Sequence, residues 1–332
     1  MESGPSSAMA FPMVEQPYSF VGSLSSMTGL EPNNLMEVLS RMIYGSNMIS
    51  MAGGSLPTTY RTCYAVFEGV QIPEEITEND FEYNEISDHM EFRKMAVSHE
   101  SILRCYREIV QHAKAARYLI TKIVLERQAF DEATFQEANR LLTYNIDLSP
   151  QMPWTDSGGH YRPWNGPRDM RFLDPTDIPS AMLRMTNDLS VEMSTRDMHQ
   201  LRQEDVYERI SYACQYCQRF ILIHPFADGN GRMYRLFLTT LLLRAGICPA
   251  VYGLYEFDRS RHWQAESSCY MQGNQDILRE AELGTIGTSH QLVKFVVEHT
   301  YGQWRSPDHH MRTFLQVTGQ GTGLGGQENP KP

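Results

Sequence analysis

Residues 224–235 read His-Pro-Phe-Ala-Asp-Gly-Asn-Gly-Arg-Met-Tyr-Arg, which gathers a base, a carboxylate, an amide, two glycines and two guanidiniums into one short run. His224 is the residue type that exchanges a proton near neutral pH. Asp228 suits Mg²⁺, which binds through one or two carboxylates plus phosphate oxygens. Gly229 and Gly231, with Asn230 between them, permit backbone conformations that aim successive N–H groups inward. Arg232 and Arg235 lie one helical turn apart, so both reach the same side and can clamp phosphates. The chemistry these types predict is the holding of a polyphosphate with proton abstraction beside it. A lone Gly-x-Gly would read as a plain turn flanked by solvated arginines. A run this densely specified is far more selective.

Such a run needs two helices to position it. Val206, Ile210, Ala213, Cys217, Phe220 and Ile221 recur at helical spacing, predicting a helix over 205–223 that ends at His224. The apolar stretch from Arg232 to Leu243 predicts a second helix, stopped near Ala245-Gly246. Its N-terminus adds partial positive charge to the anion cradle.

Upstream, helices are expected from Asn34 to about Ile49 with Asn33 or Asn34 as cap, over 91–128 as one or two pieces, and after a cap at Asp131 to near Asn145. Further helices are expected over 178–189, 259–271 and 291–301. Turn formers set between aromatic residues predict a β-hairpin within 149–163, and Ala65 to Ile72 is the other candidate strand. The expected class is all-α, a helical bundle with a short β-hairpin beside the motif loop. Residues 1–32 read as a loose tail, 33–300 as a catalytic domain with an N-terminal helical extension, and 301–332 as a C-terminal segment whose Gly-rich end is disordered.

Composition narrows the function. The 332 residues carry a net charge of −11, which argues against nucleic acid or an anionic membrane surface as partner. The apolar run Leu236 to Leu243 is too short to cross a bilayer and the first residues lack a secretory pattern, so a cytoplasmic location is expected. Six scattered cysteines read as thiols in a reducing compartment, with Cys214-x-x-Cys217 lacking a second pair at zinc spacing. The acidic tract from Glu74 to Asp88 reads as solvated surface, and His309-His310 as a surface pair.

The run from His224 to Arg235 resembles the signature of Fic-domain proteins, and the likeness extends in pattern over about residues 35–280. The resemblance implies an all-α fold with a β-hairpin flap and an enzyme that moves AMP from ATP to a protein hydroxyl with Mg²⁺. It implies His224 as the base that deprotonates a Ser, Thr or Tyr hydroxyl, Pro225 as the shaper of the turn and Phe226 as the anchor of the loop. Asp228 would hold Mg²⁺, and Gly229, Asn230 and Gly231 would bind α- and β-phosphate. Arg232 and Arg235 would hold the outer phosphates. Gly159-His160-Tyr161-Arg162 resembles the flap that holds the target segment by β-pairing. The family usually places an aromatic pair and then a helix ending near Gly-Asp around the adenine; this sequence departs from that with Trp263-Gln264 and Gly273-Asn274, and Trp263 reads equally well as a purine stack or as a core residue.

Many family members also carry Ser/Thr-x-x-x-Glu, whose glutamate pairs with the last motif arginine and blocks productive ATP binding. Two registers match here. In one, Ser46 starts the element and Ser50 takes the glutamate position; in the other, Ser40 starts it and Tyr44 does. The first is preferred, and neither supplies a carboxylate, so inhibition through Arg235 by an intramolecular glutamate is expected to be missing. The implied partner is a target protein with an exposed hydroxyl side chain, and a homodimer is left open. The alternatives are another transfer on the same cradle (UMP, phosphocholine or a phosphoryl group) and a nucleotide-binding module without turnover.

Overall fold

The computed structural model describes residues 19–165, 172–195, 206–254 and 290–301. They fold into helices α1 (Phe20–Thr28), α2 (Pro32–Ile49), α3 (Leu56–Glu68), α4 (Phe81–Phe92), α5 (His99–Leu119) and α6 (Glu132–Leu142), then a single turn α7 (Trp154–Ser157). The series continues with α8 (Ile178–Thr195), α9 (Val206–Ile223), α10 (Asn230–Arg244) and α11 (His290–Tyr301). Among the described residues there is no β-strand, and no helix is long and apolar enough to cross a membrane.

The pair α9–α10 forms the centre. Met233, Tyr234 and every residue from Leu236 to Leu243 are buried, so α10 is covered on all sides. Phe237 lies edge-on to Phe130 and Phe135, with ring centroids 4.8 and 4.9 Å apart, and Phe135 stacks on Phe220 of α9 at 5.3 Å. This aromatic knot ties α6, α9 and α10 together, at about 0.5–1.5 kcal/mol per ring pair beyond the burial itself. Phe226 of the motif loop adds to it, fully buried and 6.3 Å from Phe220. The loop is therefore bolted to the core from beneath.

Caps set the ends. Asp131 accepts from the Thr134 N–H at 2.7 Å, as its position ahead of the apolar face of α6 implied. The helix predicted from Asn34 begins instead at Pro32, with Glu31 as N-cap and no side-chain cap bond. Proline at the first position has no N–H to satisfy, so neither Asn33 nor Asn34 is needed there. Over 91–128, α5 starts at His99 behind a Ser98 capping box and runs on into a π-helical turn, Ile120–Leu125.

Three expectations differ. Phe20, Val21 and Leu24 of α1 are buried, so the last part of the supposed loose tail is a packed helix, with Phe20 5.3 Å from Phe67. Ala65 to Ile72 is no strand. Thr58, Thr59, Thr62, Cys63, Val66 and Phe67 are buried at helical spacing from a Ser55 cap, and Gly69 ends α3 in the left-handed region at φ 75°. The segment 149–163 forms no hairpin: an isolated bridge joins Ser149 to Met152, and Tyr161 bridges to Phe226 instead of to a second flap strand. The acidic tract holds α4, which buries Tyr83, Ile86 and Met90 while Glu82 and Glu85 meet Arg61 on α3. The stretch 259–271, Trp263, Gln264, Gly273, Asn274, Cys269, His309-His310 and the Gly-rich end lie outside the described residues.

Candidate active site

The site is the loop that joins α9 to α10. α9 delivers His224, whose N–H still donates to the Phe220 carbonyl at 3.0 Å while its own backbone turns left-handed at φ 49°. A non-glycine residue held there costs on the order of 1–3 kcal/mol unless its surroundings fix it. Arg162 supplies that fixing. Only 2% exposed, it donates from Nε to the His224 carbonyl at 2.7 Å and from Nη2 to the Ile223 carbonyl at 3.3 Å. The ring of Phe172 stacks on the His224 imidazole with centroids 4.0 Å apart.

Asn230 closes the loop on itself. Its side chain accepts from the Phe226 N–H at 3.0 Å and donates to the Phe226 carbonyl at 2.7 Å. Burial to 3% exposure and these two bonds make the Asn230 side chain a brace for the loop whose backbone the family resemblance assigned to phosphate. Gly229 is the N-cap of α10 at φ 81°, and a Cβ there would come within 3.1 Å of both Asn139 and Leu142. Glycine is thus required by backbone and by space.

Asp228 and Arg232 face one cavity of about 230 Å³, whose lining also includes Ser50, His224, Ala227, Gly229, Asn230 and Gly231. Arg232 Nη2 reaches Asp228 Oδ2 at 3.1 Å, and Arg232 Nη1 is buried with no hydrogen-bond partner among the described residues. A buried guanidinium donor without an acceptor is costly, and an anion within its reach would satisfy it. The first turn of α10 adds N–H groups that no carbonyl of the helix can accept.

Arg235 points away from this cavity toward α2. It donates from Nε to Ser46 Oγ at 2.7 Å, and from Nη2 to the Ser46 carbonyl at 3.0 Å and to Ser50 Oγ at 2.5 Å. The register that starts at Ser46 is the one that touches Arg235. Tyr44 of the other register lies by Arg93, and Ser40 is buried near Cys63. Gly231 sits over the Arg235 guanidinium, since a Cβ at Gly231 would be 3.4 Å from Nη1.

The residues expected to hold a target segment are mostly turned inward. Gly159 donates its N–H to Asn139 Oδ1 at 2.9 Å, and the Tyr161 hydroxyl donates to Glu132 at 2.6 Å. Burial and that carboxylate push the Tyr161 hydroxyl well above its usual range. The Arg162 N–H donates to the Pro225 carbonyl at 2.8 Å. His160 alone of the four is exposed.

Two positioning residues escaped the sequence reading. Asn139, 1% exposed on α6, donates to the Asp228 carbonyl at 3.0 Å while accepting from Gly159, so it ties the motif loop to the segment before Tyr161. His112 of α5 is fully buried behind the cradle, with Nδ1 2.7 Å from Asn47 Oδ1. Burial first, then the Arg232 and Arg235 charges, hold its pKa well below 6.5. Asn139 sits on the buried face of α6 beside Phe135, Ala138 and Leu142, where a polar residue in an apolar stripe was the available signal, whereas His112 shares its face of α5 with the buried Glu108. Cys214 and Cys217 are buried in the core face of α9.

Comparison with known proteins follows the same outline. The Fic/DOC family model matches residues 129–242, which span α6 to α10 and hence the whole cavity-forming loop. A protein adenylyltransferase Fic from Culex quinquefasciatus is 31% identical over 162 residues, 48% of this chain and 28% of that protein. One from Nematostella vectensis is 24% identical over 207 residues, 61% of this chain and 44% of that protein. The chain thus matches less than half the length of these relatives. Among solved structures, a Fic domain-containing signaling protein from Bacteroides thetaiotaomicron superposes with a TM-score of 0.57 at 16% identity, over 90% of this chain and 96% of that one. A fragment of Fic-1 from C. elegans gives 0.53 at 17% identity, over 91% and 72%. The helical order, the loop built between α9 and α10, and the family match across it agree: residues 129–242 of this chain match the Fic/DOC family, and the described fold is that of Fic-domain structures.

Proposed function

We propose that the chain is a protein adenylyltransferase, moving AMP from ATP to a Ser, Thr or Tyr hydroxyl of a target protein. The observation that carries this reading is the cavity lined by His224, Asp228, Arg232 and the N-terminal residues of α10, with Arg232 Nη1 buried and without a hydrogen-bond partner among the described residues. In it, phosphate oxygens take the α10 N–H groups and Arg232. The target hydroxyl approaches the side of the cavity that His224 lines and gives up its proton to the imidazole. The hydroxyl oxygen forms a bond to the α-phosphorus, the bond to the β-phosphate oxygen breaks, and pyrophosphate leaves against the arginine. Catalysis on this reading is positioning plus charge neutralisation.

The donor set suits Mg²⁺: Asp228 is a partly exposed carboxylate on the cavity wall, and one carboxylate with phosphate oxygens is the usual complement of that ion. Bound there, Mg²⁺ would neutralise phosphate charge. The chain's own part is to hold Asp228 by its carbonyl, through Asn139.

Arg235 is met from α2 by two hydroxyls and a carbonyl, and position 50 offers a neutral group. The proposed enzyme therefore lacks glutamate inhibition from that helix. The test is incubation with labelled ATP, Mg²⁺ and a cell lysate, comparing wild type with His224→Ala by intact-mass analysis of the modified bands. Addition of an adenylyl group by wild type alone supports the reading. A phosphate without the nucleoside, or equal labelling by both, sinks it.

A further inference from the structure

Arg162 was expected to face a target, yet its guanidinium is spent inside the protein. Nε donates to the His224 carbonyl at 2.7 Å, Nη1 to the Trp164 carbonyl at 2.5 Å, and Nη2 to the Leu173 and Ile223 carbonyls at 2.5 and 3.3 Å. All of these acceptors are backbone carbonyls, and they come from three places: the end of α9, the residue just after Tyr161-Arg162-Pro163, and the approach to α8. A planar fork of fixed donors can span them, whereas a single ammonium cannot. The backbone N–H of Arg162 takes the next carbonyl along, that of Pro225. Ile223, His224 and Pro225 therefore have their consecutive carbonyls held by one residue.

We infer that Arg162 is a positioning residue for His224, which it holds by the backbone at the point where α9 turns left-handed. The inference rests on the proposed role of His224 as base. The direction of the His224 side chain follows from its backbone, and the φ of 49° is one that an L-residue keeps only under constraint. Phe172 completes the mounting. Its ring stacks on the imidazole at 4.0 Å, while the Arg162 guanidinium lies 5.9 Å from that same ring. Arg162 thus fixes the carbonyl of the base and sits beside the ring against which the imidazole rests.

The test separates positioning from target contact and from nucleotide binding. Arg162→Gln is expected to lower kcat on the order of 100-fold, the cost of a misplaced catalytic group, with KM for ATP and for the acceptor near wild-type values. Arg162→Lys is expected to recover part of that loss. Nucleotide affinity by calorimetry, unchanged in both, shows that the fold and cradle persist. A second readout needs no activity: in protein labelled at histidine, the His224 Hε1 signal, assigned by its absence in His224→Gln, is shifted upfield by the Phe172 ring. It moves in Phe172→Leu and should move likewise in Arg162→Gln. An acceptor KM that rises while kcat stays constant would make Arg162 a target contact and overturn the inference. So would an unmoved His224 signal, or a nucleotide affinity that falls in step with the rate. If Arg162→Gln is insoluble, the signal in Arg162→Lys carries the decision. A wild type without any transfer defeats the proposed function, and the imidazole signal then still decides the placement.

Discussion

Ser50 is the residue that touches both Arg235 and the cavity. Its hydroxyl lies 2.5 Å from Arg235 Nη2 and also lines the cavity with His224 and Asp228. A carboxylate at this position would reach the same guanidinium as a charge-assisted pair, worth about 1.5–3 kcal/mol. Ser50→Glu is therefore expected to draw Arg235 more firmly onto α2, with an anion beside the phosphate cradle. ATP affinity should fall about 10- to 100-fold, with transfer falling in proportion at limiting nucleotide. Titration calorimetry on Ser50→Glu, with Ser50→Gln as the uncharged control, reads this directly. Equal effects of both variants would mean bulk and not charge is responsible. The Ser46 and Ser50 register, preferred because Ser46-Asn47-Met48-Ile49 resembles the family's approach, is the one whose residues contact Arg235. The inward turn of Asn230 and Arg162 was not legible in the sequence. Both types are polar and both stand in a motif-like context, and nothing in the spacing tells whether a polar side chain reaches a ligand or a backbone carbonyl.

At the scale of elements, the loop between α9 and α10 is shaped by its neighbours as much as by its own residues. Gly229 caps α10 at φ 81° and lies against Asn139 and Leu142 of α6. Gly229→Ala forces a left-handed alanine and a contact tighter than ordinary packing, so it should destabilise by about 1–3 kcal/mol, read as a lower urea midpoint at unchanged slope. Asn139→Leu keeps a similar volume but orphans the Gly159 N–H and frees the Asp228 carbonyl. An unmade buried bond costs about 1–3 kcal/mol, so this variant should lose a comparable amount and show activity below what its residual folded fraction explains. Chromatographic isolation of the folded fraction before assay checks the second part. The helices themselves were plain in the sequence wherever apolar periodicity was long, as in α9 and α10. α3 was misread because its buried face carries Thr58, Thr59 and Thr62, so its apolar residues alone look like a short run. The hairpin was misread because the turn residues around Gly158 and Gly159 serve α7 and a contact with α6, and the extended residue Tyr161 pairs with the motif loop.

Across the whole molecule, a buried histidine outside the motif feels the charges of the site's arginines. His112 is fully buried, its Nδ1 bonded to Asn47 next to Ser46, and its Nε2 has no hydrogen-bond partner among the described residues. Arg232 and Arg235 are the charged groups that bear on it, and both oppose a second positive charge. The folded protein therefore keeps His112 neutral at pH values where the unfolded chain, with an ordinary pKa near 6.5, already binds a proton. The stability is fully present above about pH 6.5 and is lost as pH falls below it, at up to about 1.4 kcal/mol per pH unit for one group. His89 acts in the same direction, lowered by burial and by Arg93, but it is half-buried and Glu85 offsets it in part. The carboxylates held low, Asp80, Glu85 and Asp174 among them, have ordinary values near 4 and contribute only at stronger acid. Between pH 7.5 and 5.5 His112 should dominate the slope. Denaturant unfolding across that range is expected to show falling stability for wild type and a much flatter profile for His112→Gln, whose amide can still bond Asn47 and takes up no proton. An unchanged slope in His112→Gln would place the acid sensitivity elsewhere. A flattened slope would assign the acid sensitivity to His112, which burial first and then the Arg232 and Arg235 charges keep neutral where α2, α5 and α10 meet.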